Sequence, residues 1–131
     1  MTNALSPGVV ERVRDGPWYR VRTDRFEASF VLGADEVLED VCNIDVEVRM
    51  SADGSRWTAT VFTLDEVQRL MEKGSRTGED LGGRYFWCYD GLIVRDPGID
   101  NIIEVLIGLL DEGDFWQILQ RIDDEGNLGE A

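Results

Sequence analysis

The segment IDVEVRM SADGS RWTATVF, residues 44–62, is written in the two-residue period of a β-hairpin. Ile44, Val46, Val48 and Met50 alternate with Asp45, Glu47 and Arg49, so one side of this strand belongs to a core and the other to water. Asp53-Gly54 lies in the connecting stretch, and Arg56 to Phe62 is rich in the Thr, Val, Trp and Phe that suit a pleated surface. A hairpin with one apolar face needs a second layer, and the residues that follow supply it. Thr63-Leu64-Asp65-Glu66 reads as a capping box, Phe62 and Val67 are placed for a hydrophobic staple, and Leu64, Val67, Leu70 and Met71 form an apolar stripe. Lys73-Gly74 reads as the stop of that helix.

Upstream of the hairpin, Val9–Arg14 and Trp18–Thr23 are short β-like runs around Asp15-Gly16-Pro17. Phe26 to Leu32 then places Phe26, Ala28, Phe30 and Leu32 on one side, which together predicts an N-terminal meander. Residues 34–41 (ADEVLEDV) carry four carboxylates and read as a short helix or a connecting loop. Downstream, the glycine-rich stretch 74–83 reads as a flexible connector. Arg84–Tyr89, the turn Asp90-Gly91 and Leu92–Arg95 read as a second hairpin, in which the aromatic run Tyr85 to Tyr89 would be a covered central strand. Asp96-Pro97 is expected to open a helix whose apolar face is Ile99, Ile102, Ile103, Leu106, Leu109 and Leu110, with Gly113 as its end. Asp114 is expected to cap a last helix that buries Phe115, Trp116, Ile118, Leu119 and Ile122. The expected fold is α+β over one domain, residues 1–131. Its antiparallel sheet is built from the meander and two hairpins, with one helix between the hairpins and two C-terminal helices packed on the sheet. Residues 1–8 and 124–131 are expected to fray.

Charge narrows the partners. The chain has 27 Asp and Glu against 13 Lys and Arg and no His, for a net charge of −14. Such a surface repels nucleic acid and anionic lipid and attracts basic protein, while solubility alone is the competing explanation. The charge is uneven: residues 1–25 hold five Arg and three acidic residues, net +2, and the remainder is net −16. Without His, mechanisms with an imidazole base and histidine metal sites are excluded. Cys42 and Cys88 form no CxxC pair, and no metal or cofactor is expected. The glycines of residues 74–83 lack the Lys-Ser or Lys-Thr of a phosphate loop, and the acidic stretches lack the ligand spacing of an EF-hand. A carboxylate-dependent hydrolase remains the rival of a different class. The N-terminus lacks the pattern of a secretory signal, which places the protein in the cytoplasm.

The acidic residues are densest at Asp35, Glu36, Glu39 and Asp40, followed by Asp45 and Glu47 on the wet side of their strand. These six are the candidate contacts for a cationic partner, with Trp57 as an aromatic anchor should it be exposed. No catalytic residue is named, and whether the chain is a monomer or a homodimer stays open.

From about Trp57 to Ile122, the pattern WTATVFTLDEVQRLM, then TGEDLGGRYFWCYDGLIVRD and two helices, resembles small bacterial immunity proteins of polymorphic toxin systems. The resemblance implies a non-enzymatic domain that binds a toxin and blocks its active site or substrate groove. Many such toxins are nucleases with basic clefts, which an acidic inhibitor fits. The size and ββα succession are also similar to acidic secretion chaperones, which would imply a dimer, although those begin with a helix where this chain reads as β.

Overall fold

The computed structural model describes residues 8–122. Its sheet has seven strands: β1 (Val9–Asp15), β2 (Trp18–Thr23), β3 (Phe26–Val31), β4 (Asn43–Met50), β5 (Arg56–Thr63), β6 (Gly91–Val94) and β7 (Gln120–Ile122). The first five run antiparallel in chain order, so the meander and the 44–62 hairpin form one continuous surface. Gly16, at a φ of 60°, makes the β1–β2 turn. The register is set by burial. Val21 opposes Ala28, Ala28 opposes Val48, and Val48 opposes Trp57, all on the face that packs against helix.

That face is covered by α3 (Ile99–Glu112) and the single turn α4 (Phe115–Ile118). Phe26, Phe30, Val46, Val61, Ile102, Ile103, Leu106 and Phe115 are essentially sealed from water in one cluster. Each such side chain contributes about 1.5–3 kcal/mol of transfer free energy. Arg12 of β1 donates to Asp100 of α3, and Arg25 to Asp111, so the cationic N-terminal strands lie against the helix that covers the sheet.

Helix α1 (Leu64–Thr77) starts as the sequence predicts. The Thr63 hydroxyl accepts from the Glu66 N–H at 3.1 Å. The reciprocal half of the box is not made: the Thr63 N–H donates to the Cys42 carbonyl, and the Glu66 carboxylate turns to Arg69 and Asn43 instead. Asn43 shares a strand face with Asp45 and Glu47, so α1 sits at one end of the sheet's second face, opposite α3. Phe62 and Val67 are both buried there, outside the main cluster.

Four expectations are corrected. Gly74 does not stop α1: the helix continues to Thr77 and ends at Gly78 in the left-handed region. The stretch after it is a built turn. The short element α2 (Glu79–Gly83) contains Asp80, Leu81 and Gly82 in left-handed conformation, followed by Gly83 at a φ of 80°. Gly83 lies so close to α1 that a Cβ on it would meet the Met71 carbonyl oxygen at 1.9 Å, and one on Gly74 would meet Gly83 Cα at 2.9 Å. Two glycines are therefore what allows α1 and the turn to touch backbone to backbone.

The second hairpin does not form. Residues 84–90 are irregular, and β6 joins β5 in parallel, because α1 and the segment after it carry the chain back to the middle of β5, where Gly91 pairs with Thr60. Tyr85, Trp87 and Tyr89 accordingly lie exposed instead of in a covered central strand. Third, α3 begins at Ile99 with Gly98 as its N-cap, two residues later than Pro97 would place it. Gly98 sits at a φ of 106° against the Glu39 backbone, a position proline chemistry does not reach. Fourth, the last helix is one turn only. Leu119 turns extended and β7 pairs with the first half of β5, so Ile122 lies in a strand and Trp116 stays exposed. Residues 34–41 form a loop with one 3₁₀ turn at Leu38–Asp40. The fraying expected at 1–8 and 124–131 lies outside the described residues, apart from Gly8, whose carbonyl accepts from the Asp24 N–H.

Candidate functional site

Among the described residues α1 covers only the Asn43–Phe62 end of the second face, and the remaining side chains from β1 to β5 fall into rows fixed by strand register. At one end Glu11, Arg22, Glu27, Arg49 and Arg56 stand in line. They alternate in sign except at the last pair, and Arg22 binds Glu11 at 2.6 Å. The middle row is Val13, Arg20, Ser29, Glu47 and Thr58, and Arg56 reaches Glu47 at 3.5 Å. The far row begins with Asp15, Trp18 and Val31 and continues with Asp45 and Thr60. It contains no basic residue. Negative potential is thus concentrated at one end of a face whose other end is balanced.

At the acidic end a groove of about 420 Å³ is lined by Trp18, Ser29, Val31, Glu36, Asn43, Asp45, Glu47 and Thr58, among others. Glu36 enters it from the 34–41 loop, held by the Gly33 N–H at 3.1 Å. Trp18 flanks it with Arg20 stacked 5.3 Å from its ring centroid. The Thr60 hydroxyl lies 2.8 Å from Asp45 Oδ1 and 3.0 Å from Asp90 Oδ1. One proton cannot satisfy both carboxylates, so the pair keeps acceptor capacity for a donor from outside. The Thr60 N–H also donates to the Asp90 carbonyl, which fixes the end of the 84–90 segment beside the groove.

The sequence candidates divide here. Glu36, Asp45 and Glu47 come together. Glu39 lies in a separate concavity with Arg12, Tyr19 and Asp100, and Asp35 and Asp40 project into solvent from the loop. Trp57 is half-buried on the helix-covered face, edge-on to Phe115 and Trp116 at 5.9 and 5.1 Å, with its N–H on Ser55 Oγ and Arg121 over its ring. It is held inside the fold. Trp18 and Asp90 also belong here, although neither is among the sequence candidates. Trp18 has the same strand parity as Arg20 and Arg22, which marks it as a wet-side residue; from sequence Asp90 reads only as a turn former.

A second polar cluster lies at the foot of α1. Glu66 is 8% exposed and accepts two hydrogen bonds of 2.8 Å from Arg69, one from Asn43 and a weak one from Cys42. The Arg69 guanidinium, helped by Asn43, holds the Glu66 carboxyl below its ordinary range against the opposing effect of burial. Burial first, then Glu66, pushes the Cys42 thiol up, away from the reactive thiolate. Cys42 and Cys88 are both unbridged.

Among the described residues no three His, Cys, Asp or Glu side chains converge as a metal site, and no helix is long and apolar enough to cross a membrane. No family model, curated protein or solved structure matches this chain.

Proposed function

We propose that this protein is a non-enzymatic, acidic protein-binding domain of the immunity type, which captures and neutralises a basic protein, a toxin in the reading that the sequence style suggests. The observation that carries it is the groove at the acidic end of the open sheet face, lined by Glu36, Asp45 and Glu47, with Asp15 and Asp90 nearby. The face is stiff where the groove lies, because β2 to β5 are each hydrogen-bonded to a strand on both sides. Charges mounted on it are therefore held in place before a partner arrives, which lowers the ordering cost of binding. The net charge of −14 supplies long-range attraction, and the groove gives that attraction a destination.

Co-expression with the protein encoded beside it, followed by affinity capture at low and high salt, tests this. A complex that forms at low salt, weakens as salt rises and abolishes the neighbour's toxicity is expected. No complex with a basic protein, or one indifferent to salt, would sink the reading.

A further inference from the structure

The segment Leu81–Tyr89 exposes more apolar surface than folding requires. Trp87 is 74%, Leu81 72%, Tyr89 58% and Tyr85 47% exposed, whereas Phe86 between them turns inward to meet the Phe62 ring at 4.8 Å. The three outward rings leave on the order of 300 Å² of aromatic surface in water, which on a soluble domain marks a contact surface. These rings are anchored. Phe86 fastens the segment to the sheet, Gly83 fastens it to α1, and the left-handed turn spends conformational energy at Asp80 and Leu81 to hold Leu81 outward.

The segment is also continuous with the groove. Asp90 shares the Thr60 hydroxyl with Asp45, and the Tyr89 hydroxyl donates to Gln120 Oε1 at 3.4 Å; Gln120 is the β7 partner of Thr58, which lines the groove. In the sequence flanking the rings stand Glu79, Asp80 and Asp90 against one Arg84. An aromatic surface joined to the Asp45 and Asp90 carboxylates complements one side chain better than others. A guanidinium is planar and weakly hydrated, stacks on a ring face, and donates from its edge to carboxylates, whereas an ammonium is compact and holds its water.

We infer that Tyr85, Trp87 and Tyr89 form the second half of the docking surface and that they receive arginine side chains of the basic partner, with Asp90 and Asp45 accepting from the stacked guanidinium. The inference rests on the partner being basic and adds which cation it presents and where. It also sets Trp87, rather than Trp57, as the aromatic anchor.

The probes are hexa-arginine and hexa-lysine peptides, equal in charge, titrated into the full chain at matched low ionic strength and followed by calorimetry. The expected result is binding of hexa-arginine about fivefold tighter than hexa-lysine. The double variant Trp87→Ala, Tyr89→Ala should lose that preference while keeping its circular dichroism and its affinity for hexa-lysine. Equal binding of the two peptides by the wild type, or a preference that survives in the double variant, would overturn the aromatic inference and leave the acidic capture standing. Failure of both peptides to bind would overturn the basic-partner reading as well.

Discussion

Single residues decide where this chain accepts change. Gly83 and Gly78 both have positive φ, yet only Gly83 is pressed against other backbone. Gly78→Ala should cost about 1 kcal/mol, the ordinary left-handed penalty, and Gly83→Ala more than about 3 kcal/mol because α1 and the turn must separate; urea unfolding of the two variants side by side measures the difference. Leu81 is the converse case. Its φ of 56° is strained and its side chain is exposed, so Leu81→Gly should leave stability unchanged or raise it by up to about 1 kcal/mol, although glycine normally loosens a fold. A clear loss of stability would show that Leu81 packs.

Glu66 gives the pH dependence. Its carboxyl titrates lower in the folded protein than in the unfolded chain, so protons prefer the unfolded state. Its contribution is complete above the ordinary carboxylate range and is lost as pH falls through the lowered folded value. Glu66→Gln should therefore be less stable than wild type at pH 7, and the gap should narrow by pH 3. Chemical denaturation of both proteins at the two pH values checks this, and a gap that widens on acidification would reverse the assignment.

Among elements, those whose residues alternate cleanly were legible. The meander, the 44–62 hairpin, the start of α1 and the apolar face of α3 follow from spacing alone, because strand and helix periods are imposed by burial on one side. The 84–90 segment was not legible, for a physical reason. Tyr85 to Tyr89 are apolar or aromatic at both parities, so composition argues for burial on two faces, while the backbone direction that exposes them comes from a glycine contact with α1. The site was half legible. Asp45 and Glu47 follow from strand parity and Glu36 joins them, but Glu39 departs to the other side through a loop path that no local pattern encodes. Residue type makes Trp57 an anchor only if exposed, and its half-buried place with Phe115 depends on α4 ending after one turn. Phe115→Ala should accordingly cost about 3–5 kcal/mol and expose Trp57, seen as a red-shifted tryptophan emission under native conditions.

Over the whole molecule the charge is polarised. The cationic strands β1 and β2 are partly neutralised against α3 through Arg12–Asp100 and Arg25–Asp111, and through Arg22–Glu11 on the bare face. These exposed pairs are worth little stability individually; at the acidic end the row of Asp15 and Asp45 holds no basic residue among the described strands, and Arg56 reaches Glu47 at 3.5 Å. On the function proposed above, this end captures a basic partner. The most direct measurement is the association rate constant of the co-purified basic partner with wild type and with the double variant Asp45→Lys, Glu47→Lys, taken by stopped flow at low and high salt. In the double variant association should slow by about tenfold or more at low salt, dissociation should change much less, and the two proteins should converge at high salt. Equal association rates at low salt would contradict the proposed capture.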